Sequence, residues 1–277
     1  MNCPGNDDRG AQPVAKAPSA KLGAATRLSF RGKERAVVVL CLLLGFSYAL
    51  SISWTKWGSL IIDTFRDFHV CEMILGGKLL YRDIAYEFGL LPPYLLVLAC
   101  MAGGLKVGTF VAVGIATTVL LVLLVYKTAR LFLNRVESVL VGMSYLLVFA
   151  FGIYMYHGIF NTVLPYSFAT LFFVLCVVAG LYEHLRFIFT GRTGHLRRWW
   201  AFMLLAFLCR IDMALFCWAA FVHAMALVCR NREQFSVGWL KGTLWLASVP
   251  MAAACIYGAY FIATHSFGEF MGFTIRI

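Results

Sequence analysis

The sequence predicts an all-α fold: a polytopic transmembrane helical bundle. Three observations predict it. The 277 residues are 61% hydrophobic and only 13% charged, about half the charged share with which a soluble domain clothes its surface. Residues 36–53, 108–126, 139–156 and 240–263 are long apolar runs with few or no charges, and about 20 such residues in a helix cross the hydrocarbon core. The runs are continuous rather than alternating, which favours helices over a membrane β-barrel.

Residues 1–35 are rich in Ala, Pro, Gly and basic side chains and read as a disordered cytoplasmic tail. The basic lead is long for a signal peptide and the first apolar run extends to Trp54, so that run reads as an uncleaved anchor. The rest, 36–277, is the transmembrane domain. Lys and Arg gather in loops that stay cytoplasmic. Here they form four clusters: Arg27, Arg31, Lys33 and Arg35; Lys127, Arg130 and Arg135; Arg186, Arg192, Arg197 and Arg198; and Arg230, Arg232 and Lys241. The formal charge of +11 therefore reflects topology, and no nucleic-acid partner is expected.

An even number of crossings must separate neighbouring clusters. Residues 136–156 and 163–182 form one hairpin. The stretch 199–228 forms a second, turning at Arg210–Asp212, because a charge at the bilayer centre costs on the order of 3 kcal/mol. The short run 91–105, which holds Pro92, Pro93, Gly103 and Gly104, is read as interfacial. The expectation is about seven crossings, with the N-terminus cytoplasmic and residues 54–107 as one large external loop carrying interfacial helices.

Within that loop, Phe65, Phe68, Cys71 and Leu75 recur at helical spacing and predict an amphipathic helix over 64–75, capped by Gly76-Gly77. An extended stretch over 79–86 follows. Gly89 and Pro92-Pro93 then lead into a second interfacial helix.

Seven of the thirteen acidic residues fall outside in this topology: Asp63, Asp67, Glu72, Asp83, Glu87, Asp212 and Glu269. Asp63 and Asp67, one turn apart, suit a general base with an electrostatic or metal partner, or a helix cap with a solvated surface charge. Arg210 and Asp212 suit a mutually satisfied pair, or an arginine holding a lipid phosphate. Tyr81, Arg82 and Asp83 suit a head-group grip or the folding of the loop. His157, Asn161 and Tyr166 line the second external turn, where aromatic anchoring also applies. The nine cysteines lie mostly in or beside apolar runs and show no CxxC pair, so neither a disulfide nor a structural metal is expected. P-loop, dinucleotide, HExxH and GxSxG patterns are absent from the sequence.

The segment IIDTFRDFHVCEMILGGKLLYRDIAYEFGLLPPYLLVLACMAGG resembles the first external loop of GT-C-type polytopic glycosyltransferases. These include the protein mannosyltransferase-like, aminoarabinose transferase-like and rhizobial lipopolysaccharide galacturonosyltransferase-like branches. The likeness continues in order through VYKTARLFLNR, NTVLPYSFATLF and FLCRIDMALF, covering roughly residues 30–230. It implies inverting transfer of a sugar from a polyprenyl-phosphate donor to a lipid, glycan or protein acceptor, on the external face of a bacterial inner membrane. By that resemblance Asp63 matches the catalytic position and Arg210 matches a basic position that binds the donor phosphate. The expected substrate contacts are Arg66, Asp67, Tyr81, Arg82, Asp83, His157, Tyr166, Arg210 and Asp212. Thr64 stands where many members carry Glu, which leaves the use of a divalent metal open; no metal ligand is assigned. Members are usually longer, so the chain reads as a shortened relative. A transporter or lipid-flipping protein and a non-catalytic remnant are the alternative classes.

Overall fold

A computed structural model describes residues 32–54, 56, 65–151, 161–230 and 239–275, with side chains described at 36–54, 56, 65–151, 161–223 and 248–272. The chain divides into two compact units, Met1–Leu40 and Cys41–Ile277. Helix α1, Gly32–Ser53, contributes its first residues to the former and its remainder to the latter.

The described chain is all-helical. After α1 come α2 (Phe65–Leu75), α3 (Leu91–Gly103), α4 (Val107–Ala129) and α5 (Arg135–Ser144), which runs on into a π-helical turn, Tyr145–Ala150. Then come α6 (Phe168–Thr190), α7 (Thr193–Cys209), α8 (Ile211–Arg230), α9 (Trp239–Thr264) and α10 (Phe267–Ile275). Two isolated β-bridges, Leu80 with Ile84 and Phe151 with Asn161, complete the regular structure among the described residues.

Among the described residues, three helical segments are long and apolar enough to cross a membrane: Ala36–Ser53, Val107–Ala129 and Phe168–Thr190. Shorter apolar helices cover Leu91–Gly103, Ile211–His223 and Ser248–Thr264. Large apolar side chains such as Leu44, Leu120, Phe216 and Ile262 stand exposed along these helices. That pattern suits an integral membrane protein, whose outer surface meets lipid.

Ring contacts fix the direction of the helices within the second unit. Phe110 in the first turn of α4 packs on Phe168 at the start of α6, with centroids 5.8 Å apart. At the other end Phe132, just past α4, packs on Phe189 in the last turn of α6, at 5.5 Å. Helices α4 and α6 are therefore parallel, and the basic turns after each of them share one end of the bundle. Helix α7 runs back antiparallel to α6, because Arg210 at its C-terminus bonds Thr170 at the start of α6.

The first-loop region departs from expectation in two places. The periodicity predicts Phe65, Phe68, Cys71 and Leu75 as the apolar face of α2, and Phe65 and Leu75 are exposed as a lipid-facing pair would be. The departure is Asp67, expected as a solvated charge, which is buried beside Val70 and Cys71. The cause is a distant partner: the Asp67 carboxylate accepts the Phe168 backbone N–H at 3.1 Å, one of the N–H groups left orphaned at the start of α6. Asp67 is thus a buried helix cap rather than a solvated charge.

Within residues 79–86, expected to be extended, Leu79–Ile84 form a tight turn. Tyr81 N–H donates to Ile84 O at 3.0 Å, and Asp83 N–H to Leu79 O at 2.9 Å. The Gly76-Gly77 cap is present: Gly77 has φ +85°, and Lys78 N–H donates back to Met73 O. Prolines 92 and 93 open α3, where a missing N–H costs nothing.

Candidate functional site

Side chains from α2, the turn before α3, the start of α6 and the α7–α8 junction meet around Phe88. The Arg66 guanidinium lies 4.6 Å from the Phe88 ring centroid and that of Arg210 lies 5.0 Å from it. One aromatic ring thus contacts two cations, an arrangement that favours delocalised guanidinium groups.

Each arginine is also tethered by polar contacts. Arg66 Nη1 donates to Glu87 Oε1 at 3.0 Å, and Nη2 to the Tyr166 carbonyl at 3.4 Å. The Tyr166 ring lies 5.7 Å from the same guanidinium. Arg210 makes a two-pronged contact with Asp212, Nε to Oδ1 at 3.2 Å and Nη2 to Oδ2 at 2.7 Å, while Nη1 donates to Thr170 Oγ1 at 2.8 Å. The arginine side chains are only 27% and 17% exposed, whereas Glu87 and Asp212 are 56% and 58% exposed. The cations are held within the fold and their carboxylate partners stand at its surface.

Gly89 sets this geometry. Its N–H donates to Cys209 O at 2.9 Å, tying the turn that carries Phe88 to the last carbonyls of α7. A β-carbon there would lie 2.1 Å from Leu208 O.

Beside the arginines lies a cavity of about 770 Å³, with Glu87, Phe88 and Asp212 in its wall. Most of its remaining lining is apolar, including Ile211, Phe261, Phe267 and Phe270. Among the described residues, Tyr81 (φ 65°) and His265 (φ 51°) are the non-glycine residues with positive φ, and both line this cavity. Strained backbone of this kind persists only where the surroundings over-determine it.

For Tyr81 those surroundings are clear. Its hydroxyl donates to Phe88 O at 2.6 Å, and its ring packs on Tyr260, Phe261 and Phe270. Burial pushes its phenol upward, so it stays protonated and remains a donor. Tyr260 donates to Leu80 O at 3.0 Å, and Tyr257 accepts the Leu90 N–H at 3.2 Å. This aromatic clamp from α9 and α10 is absent from the sequence-derived site. Its signal is the Tyr257, Tyr260, Phe261 spacing, which puts all three on one helix face.

The other expected contacts divide as follows. Arg66, Tyr166, Arg210 and Asp212 come together at Phe88. Asp67 faces inward as the cap of α6. Tyr81 supports Phe88 from behind. Arg82 and Asp83 pair with each other, at 3.2 and 3.0 Å, and Asp83 also accepts the Leu79 N–H at 2.8 Å, so these two fold the turn. Asn161 holds its own turn, accepting from Val163 N–H and donating to Leu164 O. Asp63 and His157 lie outside the described residues.

The Arg82 guanidinium, helped by the Leu79 N–H, holds the Asp83 carboxyl below the usual carboxylate range. A depressed pKa gives stabilisation that is present above the unfolded value and lost as pH falls through the folded one. Exchange protection at the Leu79 amide is expected to persist through the ordinary aspartate range and to fail only at lower pH. Hydrogen exchange followed by mass spectrometry across an acid series measures this.

Among the described residues, no group of three or more His, Cys, Asp or Glu is placed to hold a metal ion. No protein-family model, no curated protein and no solved structure matches this chain.

Proposed function

We propose that the chain is an inverting membrane glycosyltransferase, moving a sugar from a polyprenyl-phosphate donor to a lipid, glycan or protein acceptor. The observation that carries this reading is the Phe88 ring contacted by both the Arg66 and Arg210 guanidiniums, beside an apolar cavity. An amphiphilic anion matches both halves: phosphate oxygens accept from guanidinium forks, and a prenyl chain is at home against Phe and Ile side chains. Glu87 and Asp212, both more than half exposed, hold the arginines in the absence of donor and give way to the phosphate.

In this reading the chain crosses a bacterial inner membrane seven times with its N-terminus inside. The shared end of the two basic turns, opposite the arginine site, supports an external position for the site by the charge bias of cytoplasmic loops. Asp63 takes the role of base on the strength of the first-loop resemblance, three residues ahead of Arg66. The acceptor hydroxyl attacks the anomeric carbon, and its proton passes to the Asp63 carboxylate. The bond from that carbon to the phosphate oxygen breaks, and the departing polyprenyl phosphate leaves its charge against the two arginines.

The test is the glycan and lipid profile of cells carrying the intact chain, no chain, or Asp63→Asn. Loss of a general base lowers the rate by about 10²–10⁴, so the last two profiles are expected to match. Both lack one sugar modification and accumulate its lipid-linked donor, while the variant reaches the membrane in normal amount. An unaltered profile in Asp63→Asn removes the base from the account.

A further inference from the structure

The opposite end of the bundle carries a second charged surface, unlike the first. Lys127 closes α4, Arg130 and Arg135 sit in the following turn and at the start of α5, and Arg192 sits between α6 and α7. Phe132 and Phe189 hold the two turns together by their edge-to-face contact, and each of these cations lies within five residues of one of the two rings.

The acidic residues nearby on these elements are committed elsewhere. Glu137 accepts the Asn134 N–H at 2.9 Å, closing the capping box of α5. Glu183 is buried between His195, at 2.6 Å, and Arg198, at 3.0 Å. The Lys127, Arg130 and Arg192 side chains have no carboxylate partner within salt-bridge distance among the described residues.

This surface is also apolar where a water-facing surface would not be. Phe132 is 61% exposed, Phe189 53% and Val136 70%. On α4 the exposed Leu120 and Leu123 lead at helical spacing to Lys127, so an apolar track runs along a membrane-crossing helix and ends in cations. Acyl chains fit the track and anionic oxygens fit its end. A soluble anion would match only the cations.

We infer that the turns after α4 and α6 form a binding site for the headgroup of an anionic phospholipid, seated between Lys127, Arg130 and Arg192 over the Phe132–Phe189 pair. Phosphodiester oxygens accept from the basic side chains, and the exposed rings lie at the level of the glycerol and upper acyl carbons. The inference rests on the membrane-spanning fold and on neither the sugar-transfer reading nor the arginine site at the other end.

The experiment uses the full chain in nanodiscs of phosphatidylcholine alone or with phosphatidylglycerol. It compares thermal unfolding and the phospholipid retained on gentle detergent extraction, read by native mass spectrometry. The intact chain is expected to unfold at a higher temperature in the anionic discs and to retain phosphatidylglycerol over phosphatidylcholine. The triple variant Lys127→Gln, Arg130→Gln, Arg192→Gln is expected to lose that preference by on the order of a hundredfold, at roughly tenfold or less per charge, yet to unfold like the intact chain in neutral discs. The charge-conserving Arg130→Lys, Arg192→Lys variant is expected to keep the preference. If that triple variant is destabilised in neutral discs as well, the single variant Lys127→Gln decides by the same retention measure. The inference is overturned if retention does not discriminate between the lipids, if the preference survives removal of the charges, or if inorganic phosphate alone reproduces the stabilisation in neutral discs.

Discussion

Gly89→Ala is expected to destabilise the chain by about 2–6 kcal/mol, chiefly by breaking the junction on which the arginine site is built. The new methyl group would lie 2.1 Å from Leu208 O, 2.5 Å from Cys209 O and 2.6 Å from Cys209 C. All three are backbone atoms at the end of α7, so no side-chain rotation relieves the clash. Overpacking of this kind costs about 1–3 kcal/mol. Moving the turn away also breaks the Gly89 N–H bond to Cys209 O, and a buried group left unsatisfied adds about 1–3 kcal/mol. Phe88 moves with its neighbour, which separates the ring from Arg66 and Arg210. Gly76→Ala is the control, because its nearest neighbour is 3.4 Å away and its φ is not positive. Thermal unfolding in detergent is expected to place Gly76→Ala within about 0.5 kcal/mol of the intact chain. Equal behaviour of the two variants contradicts the junction.

Asp67→Ala is expected to cost about 3 kcal/mol. It leaves the Phe168 N–H, 3.1 Å from the carboxylate in the intact chain, buried at the start of α6 without that acceptor, a loss of about 1–3 kcal/mol. It also removes a negative charge from a helix N-terminus, worth up to about 2 kcal/mol when partly buried. Asp67→Asn keeps an acceptor oxygen and loses only the charge, so it is expected to fall between the intact chain and Asp67→Ala. Chemical unfolding of all three orders them. If Asp67→Ala leaves stability unchanged, Asp67 is not the cap of α6, and an outward role for it returns.

These two residues also show where the sequence is legible and where it is not. Local signals carried the elements: apolar runs for α1, α4 and α6, Gly76-Gly77 for the end of α2, Pro92-Pro93 for the start of α3, and Arg210 for the break between α7 and α8. Each depends on neighbours a few residues away. The inward turn of Asp67 does not, because its partner is 101 residues further along the chain. Amphipathic spacing assigns a lone aspartate to water unless that partner is known. The turn at Tyr81 fails to read for the same reason. Leu79–Tyr86 is rich in residues that suit a strand, and its left-handed Tyr81 is stabilised by Tyr260, Phe261 and Phe270 from nearly the other end of the chain. Those aromatic residues, in turn, look like ordinary membrane-facing side chains until the turn packs on them.

Of the candidate site, Arg66, Tyr166, Arg210 and Asp212 were among the residues expected together, and they meet around Phe88. The pairing was not legible. Arg210 with Asp212 is local and follows from spacing, but the use of Phe88 by both Arg66 and Arg210 joins three separate parts of the chain. Glu87 reads in the sequence only as one of seven external acidic residues, and Phe88 beside it carries no pattern.

The most direct test of the central claim is binding of a short polyprenyl phosphate, compared with the alcohol of the same chain length, to the purified protein and to Arg66→Gln, Arg210→Gln and the double variant. If the two arginines receive the phosphate of a lipid-linked donor, the intact chain binds the phosphate at least about tenfold more tightly than the alcohol. Each substitution then weakens phosphate binding by about tenfold, the scale of one charge-assisted hydrogen-bond pair, and the double variant no longer distinguishes the ligands. Equal affinity of the intact chain for phosphate and alcohol, or phosphate binding unaffected by loss of both arginines, contradicts the account.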